Sequence, residues 1–296
     1  MERNTMKELL NGIIDLHIHA GPSVAKRSVD AIEMMQEAVD AGYRAAVIKD
    51  HYFPTMMSTT MAQQHFGQEK TRMFGGIVLN NSVGLFNLNA VDAACAMGAK
   101  FVCMPTVSSK CHIAGHKGAF LGSGNTSAAE NPVCYLNENG ELDANLIQVL
   151  EYLAEKPEVI LYTGHGTAPE VDALIRKATE LGIQRILVNH PHFLVHATYE
   201  QMASWAKLGA FIELNAGVVK DIATLSEPVD ISVVGKMIEA VPADRLVVDS
   251  DFGQKVNGSP VDGLYRFICA LMKDLHVTQE QITAMTKTNP AWLLGL

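Results

Sequence analysis

The sequence predicts an α/β fold, a (β/α)8 TIM barrel, with a long loop and hairpin inserted after the fourth strand. Three observations carry this. Short apolar, β-branched runs recur along the chain, helical patterns separate most of them, and polar residues gather at the C-terminal ends of the runs. At 296 residues the chain can bury one large core, and barrels of this size form a single domain, so residues 1–296 are read as one unit.

Eight runs fit strands, at 13–19, 45–51, 73–80, 100–107, 159–165, 185–190, 210–215 and 245–251. The first reads Ile-Ile-Asp-Leu-His-Ile-His and breaks at Gly21-Pro22. Strand side chains alternate, so His17 and His19 are expected on one face with Asp15, and Ile14, Leu16 and Ile18 on the other. Two imidazoles at i, i+2 can grip one ion. Residues 28–41 are amphipathic, with Asp30 early enough to favour a helix N-terminus and Gly42 as its stop; Gly98, Gly182 and Gly209 serve as later stops.

The fourth strand leads into a segment, 108–144, too long for an ordinary βα connection. Its stretch 132–142 carries a hairpin signal at Asn139-Gly140. Because it follows a strand C-terminus, it is read as a lid or substrate-binding loop, on which Lys110, His112 and His116 are expected to be solvated. His65 and His196 read as surface residues and His276 as structural. Met34, Met35, Met56 and Met57 read as packing residues.

A net charge of −9 and the lack of a Lys/Arg cluster argue against a nucleic-acid surface and favour a small-molecule substrate. Five scattered cysteines without CxxC spacing indicate neither a disulfide framework nor a zinc knuckle, as expected in a reducing cytosol. No apolar run reaches the roughly 18 residues of a membrane span, so a cytoplasmic protein without a membrane partner is expected. A homo-oligomer is compatible with this composition.

Taken by the period of two, the strand ends supply an inward set: His17 with His19, Lys49 with His51, His165, His190 with His192, Glu213 with Asn215, and Asp249 with Asp251. Imidazoles with a carboxylate around one point suit Zn²⁺, Mn²⁺ or Fe²⁺, whereas calcium and magnesium prefer oxygen ligands. One or two divalent transition-metal ions, zinc first, are therefore the expected cofactor. An ion beside a carboxylate is also what water activation needs.

These motifs resemble the amidohydrolase superfamily of metal-dependent hydrolases. The resemblance rests on Ile14-Asp-Leu-His-Ile-His-Ala-Gly21, Tyr162-Thr-Gly-His165, Val188-Asn-His-Pro191, Val248-Asp-Ser-Asp-Phe-Gly253 and the closing Thr288-Asn-Pro-Ala-Trp-Leu-Leu-Gly295. It implies that His17 and His19 bind the first ion and that Asp251 touches it and accepts a proton from water. It also implies that His165 and His190 bind a second ion or polarise substrate, with His51 a further metal candidate. Asp249 is an alternative base. Strand 4 departs from the pattern, ending Cys103-Met-Pro-Thr-Val107 without the bridging Glu or carboxylated Lys of binuclear members, so a single ion is favoured. Lys49 reads as a partner for substrate charge, a carboxylated ligand, or a lysine paired with Asp15 or Asp249. Glu213 reads as a contact of Lys49 or substrate, or as a residue orienting a ligand histidine.

The implied activity is hydrolysis of a small amide, ester or lactone by metal-activated water, with Asp251 as acid/base and His190 or Lys49 stabilising the developing oxyanion. Three alternatives stand beside it. They are a decarboxylase of the same superfamily, a PHP-type phosphoesterase, whose closing Asp-x-His is Asp249-Ser-Asp251 here, and a non-catalytic metal-binding barrel.

Overall fold

A computed structural model describes residues 2–67, 70–116, 126–225 and 227–296. Among them, eight parallel strands pair in the order of the sequence. These are β1 (Ile14–Ile18), β2 (Ala45–Ile48), β3 (Arg72–Val78), β4 (Phe101–Cys103), β5 (Ile160–Tyr162), β6 (Ile186–Val188), β7 (Phe211–Asn215) and β8 (Leu246–Asp249). A first helix, α1 (Glu2–Leu10), precedes them, and α2 (Ala31–Ala41), α3 (Met56–Phe66) and α4 (Leu88–Ala96) follow the first three strands. After β4 come α5 (Lys110–Gly115) and α6 (Ala144–Ala154), then α7 (Ala168–Glu180), α8 (Tyr199–Lys207), α9 (Ile231–Ala240) and α10 (Pro260–Asp274) alternate with the remaining strands. The chain ends in α11 (Gln279–Thr283), a π-helical turn, and α12 (Asn289–Leu294). The expected (β/α)8 barrel is the fold observed.

Parallel strands covered by helices are buried on both faces, which is why they read as continuous apolar runs. One core fills the barrel, with Leu16, Val47, Phe101, Tyr162, Leu187 and Val247, and α12 contributes Leu293 and Leu294 to it. The other lies between barrel and helices, where Ile18, Ile48, Val102 and Val248 meet helix residues such as Met34, Met35, Val171 and Trp205. Met56 is buried as expected, but Met57 is not a packing residue; it is exposed on α3.

The β1 register departs from strict alternation. Asp15 pairs with Ala46 and Ile18 with Ile48, so three steps on β1 oppose two on β2, a β-bulge. Ile14 and Leu16 face the interior, and Asp15 lies opposite them, so the expectation that Asp15 shares a face with His17 and His19 is corrected. The Asp15 carboxylate holds the bulge, accepting the backbone N–H of His17 and of Ser250, both at 3.1 Å. Tyr162 Oη donates to the Leu16 carbonyl from across the barrel.

The barrel closes beside the bulge. Asp251 N–H donates to His17 O and His19 N–H to Phe252 O, drawing the chain after β8 onto the HxH strand. Gly253 permits that approach. Its φ is +116°, and a Cβ there would lie 1.6 Å from the His19 carbonyl oxygen.

Helix α2 starts later than the sequence pattern suggests. Asp30 is its N-cap, with Glu33 completing a capping box, and Gly42 ends it at φ 79°. Residues 28 and 29 pair with Gly253 and Gly21 instead of opening the helix. In the segment after β4, Lys110–Gly115 is helical, and where a hairpin is expected Leu136 makes one isolated antiparallel bridge with Leu142 across a turn with Gly140 at φ 79°. Tyr135 anchors it, donating to the Pro105 and Thr163 carbonyls. Residues 117–125 of the expected lid lie outside the described residues.

Candidate metal centre

Four strand ends deliver five histidines to one mouth. Ring centroids run His17 to His19 at 5.2 Å, His19 to His51 at 4.9 Å, His51 to His165 at 6.3 Å, His165 to His190 at 5.1 Å and His190 back to His17 at 5.3 Å. Three of the polar side chains arrive by left-handed backbone immediately after a strand. His190 has φ 44° and Asp251 φ 50°, while Gly164, at φ 65°, turns the chain just before His165. Such conformations in non-glycine residues gather where a site over-determines them.

The protons on the first pair are fixed by their neighbours. His17 Nδ1 lies 2.9 Å from Glu213 Oε1, and a carboxylate only accepts, so Nδ1 carries the proton. His19 Nδ1 lies 3.0 Å from the Lys49 carbonyl, which likewise only accepts. In the neutral rings both Nε2 atoms are therefore acceptors, and both face Asp251 Oδ1, at 3.3 Å from His17 and 3.1 Å from His19. Three acceptors converge, and the donor beside them is Lys49 Nζ, 3.1 Å from His17 Nε2. Ligand atoms about 2.0–2.2 Å from a tetrahedral ion stand about 3.3 Å apart, so this spacing fits a transition-metal ion. Among the described residues, His17, His19 and Asp251 are one of two buried groups that could hold an ion.

His17, His190 and Glu213 are the second group, but Glu213 is already engaged. Its Oε1 also accepts from Asn189 Nδ2 and its Oε2 from the His190 backbone N–H. Burial by itself would raise the Glu213 carboxyl, yet the adjacent His17 imidazole holds it well below the usual range. Glu213 thus reads as the residue that orients His17. Its neighbour Asp249 is pushed well above the usual carboxylate range by burial and by the Glu213 charge, and it accepts from Asn215 Nδ2.

The remaining expected site residues sit around this core. His190 Nε2 is 3.7 Å from Asp251 Oδ2, while its Nδ1 has no hydrogen-bond partner among the described residues. His165 and His51 line the far side of the mouth and join neither three-ligand group. His51 Nδ1 meets Thr106 Oγ1, to which Asn80 Nδ2 donates. Lys49 is fully buried, with Nζ 3.1 Å from His17 Nε2; among the described residues it pairs with neither Asp15 nor Asp249. His192 leaves the site and stacks on Tyr199.

His112 corrects the expectation of a solvated loop histidine. It lies on α5, is 4% exposed, and its Nδ1 is 3.0 Å from His165 Nδ1, with its ring stacked on His116. The signal was Ser109, whose hydroxyl accepts the His112 N–H and starts the short helix. Asn189, a second missed residue, occupies the inward position at the end of β6; His190 reaches the mouth through its left-handed turn. His65 and His196 are exposed as expected, and His276 is exposed rather than structural.

Burial keeps these imidazoles neutral, the form that binds metal. It pushes His19, His51 and His165 well below 6.5, His190 down to about 4 and His112 to about 3. The unfolded chain binds these protons near pH 6.5 and the fold does not, so they stabilise the protein above pH 6.5 and lose that effect as pH falls toward 4. His190 alone contributes about 3 kcal/mol. Asp15, raised by burial to about 6, acts oppositely between pH 3.8 and 6, also by about 3 kcal/mol, and the raised Asp249 acts in the same sense as Asp15, but the five histidines outnumber the two carboxyls. The melting temperature of chelator-treated protein is expected to fall as pH drops from 7 to 5. A rise over that interval would contradict the buried, neutral histidines.

Residues 12–213 match the model of DUF6282, a family of unknown function. No curated protein matches the sequence. Among solved structures, amidohydrolase 2 from Bifidobacterium longum subsp. infantis is 9% identical, with TM-score 0.55, covering 97% of this chain and 99% of that one. A lactonase from Listeria monocytogenes is 12% identical at TM-score 0.55, covering 97% and 95%. A 2,6-dihydroxybenzoate decarboxylase from Rhizobium is 10% identical at TM-score 0.54, covering 96% and 99%. The resemblance to the amidohydrolase superfamily holds in the fold.

Proposed function

We propose, from the premise that this chain belongs to the DUF6282 family and carries an amidohydrolase-type barrel, that it is a metal-dependent hydrolase of a small amide, ester or lactone. The observation that carries the reading is the convergence of two acceptor imidazole nitrogens on the Asp251 carboxylate. His17, His19 and Asp251 would hold the ion. It would lower the pKa of a bound water toward about 7 and would polarise a carbonyl.

This chain's residues do the rest. Asp251 Oδ2 takes the proton of the attacking water and returns it to the leaving group. Glu213 keeps the Nδ1 proton on His17, so that Nε2 stays a donor of electron density. His190, neutral at pH 7, and the Lys49 ammonium stabilise charge developing on the substrate oxygen. His165 and His51 line the same mouth and are kept as further ligands or substrate contacts.

Lys49 separates two roles. Its ammonium now donates to the His17 lone pair that an ion would use, so Lys49→Met is expected to keep or tighten metal binding while lowering turnover at least tenfold. Loss of metal in that variant would make Lys49 a ligand. Metal content by mass spectrometry and turnover would be measured together.

The fold is shared with a decarboxylase, and the same centre polarises a carboxylated substrate without activating water. A panel of lactones, esters, amides and aromatic carboxylic acids, followed by acid release and by CO₂ release, separates the two. Protein free of transition metal and unchanged in stability by chelator would sink both readings. Among the described residues, no helix is long and apolar enough to cross a membrane.

A further inference from the structure

Arg27 lies in the loop between β1 and α2, and its side chain is 3% exposed. The loop is held rigidly at the mouth. Residues 26–28 run beside the chain that follows Asp251: Ser28 N–H donates to Gly253 O, Lys255 N–H donates to Lys26 O, and Arg27 bridges Gln254. The Ser28 hydroxyl adds a bond to Gly258 O. Arg27 Nη2 lies 3.3 Å from Oδ2 of Asp50, the residue between Lys49 and His51 at the end of β2.

That single long contact leaves most of the guanidinium unused. Nε and Nη1 are buried and have no hydrogen-bond partner among the described residues, so three of the five N–H donors lack an acceptor. Asp50 has no capacity left to serve them. Its Oδ1 accepts the N–H groups of Tyr52 and Phe53, and its Oδ2 also accepts the Ser23 hydroxyl. Asp50 therefore fixes the position of Arg27 without satisfying it. A guanidinium placed only to pair with Asp50 would present its two-pronged edge to that carboxylate. Asp50 stands between Lys49 and His51, and Gln254 follows Asp251 by three residues, so both contacts of Arg27 are with segments that end at the metal centre.

We propose that Arg27 binds a carboxylate of the substrate, so that the molecule processed at this mouth is a small carboxylate anion. A planar carboxylate supplies two acceptors in the geometry the guanidinium lacks, and charge-assisted pairs of this kind are strong and directional. The inference rests on the proposed function in taking the mouth as a substrate site, but its test reads binding and not turnover.

Acetate, benzoate, succinate and phthalate, each beside its neutral amide, and inorganic phosphate would be titrated calorimetrically into as-purified and chelator-treated protein. At least one carboxylate is expected to bind at least tenfold more tightly than its amide. Arg27→Gln should lose that affinity at least tenfold, and Arg27→Lys should recover part of it, with metal content unchanged in both. Wild-type affinity in Arg27→Gln, or no preference for carboxylate over amide, would overturn the proposal. So would tighter binding of phosphate than of every carboxylate. If Arg27→Gln fails to fold, Arg27→Lys and the wild-type preference decide the outcome. Failure of the hydrolase reading would appear in metal content and turnover and would leave carboxylate binding in place.

Discussion

Asp251→Asn is expected to lower turnover at least 100-fold while leaving the barrel folded and most of the metal uptake in place. The substitution is conservative where structure matters. Asparagine tolerates the left-handed conformation that Asp251 adopts at φ 50°, and the backbone bond from residue 251 to the His17 carbonyl is untouched. The amide oxygen can still face His17 and His19. What it cannot do is accept a proton from water, and positioned acid/base groups are worth about 10²–10⁴ in rate. Steady-state kinetics on the panel substrate, metal analysis and a melting curve together check the prediction. Unchanged turnover would remove Asp251 as the base. Asp249→Asn is the matched control: burial and the Glu213 charge push that carboxyl well above the usual range and so disfavour its ionised form, and its amide should cost far less.

The parts of this site that are legible in the sequence are those where one strand end speaks for itself. His17, His19 and Asp251 stand at the ends of apolar runs, and a parallel strand buried on both faces leaves no other reason for polar residues there. The β1 bulge left no such signal. An extra residue between Asp15 and Ile18 is set by pairing with β2, and an alternation argument carries straight through it. The bulge also explains Asp15, which holds backbone rather than lining the mouth. Alternation alone does not bring His190 to the mouth, because Asn189 has the inward strand position and a left-handed turn delivers the histidine. His112 and Arg27 depend on distant pairings, α5 against β5 and residues 26–28 against 253–255, which no local pattern reports.

His17→Ala tests the centre from the other side, and the comparison with Glu213→Gln gives it meaning. His17 is the residue on which both buried groups depend, through Nε2 toward Asp251 and through Nδ1 toward Glu213. Removing the imidazole therefore deletes the proposed ligand and also takes one of three hydrogen-bond donors from the buried Glu213 carboxylate. Glu213→Gln keeps the imidazole but weakens control of its proton, since an amide can present either an acceptor or a donor to Nδ1. Outer partners of this kind typically carry 10–100-fold in metal affinity. The expected order, measured by competition with a chromophoric chelator, is wild type tightest, Glu213→Gln weaker by about 10–100-fold, and His17→Ala weaker still. Full metal occupancy in His17→Ala would move the ion away from the HxH strand, toward His165 and His51. Equal losses in the two variants would mean that Glu213 acts as a ligand in its own right, and the single-ion centre would have to give way to one built on both buried groups.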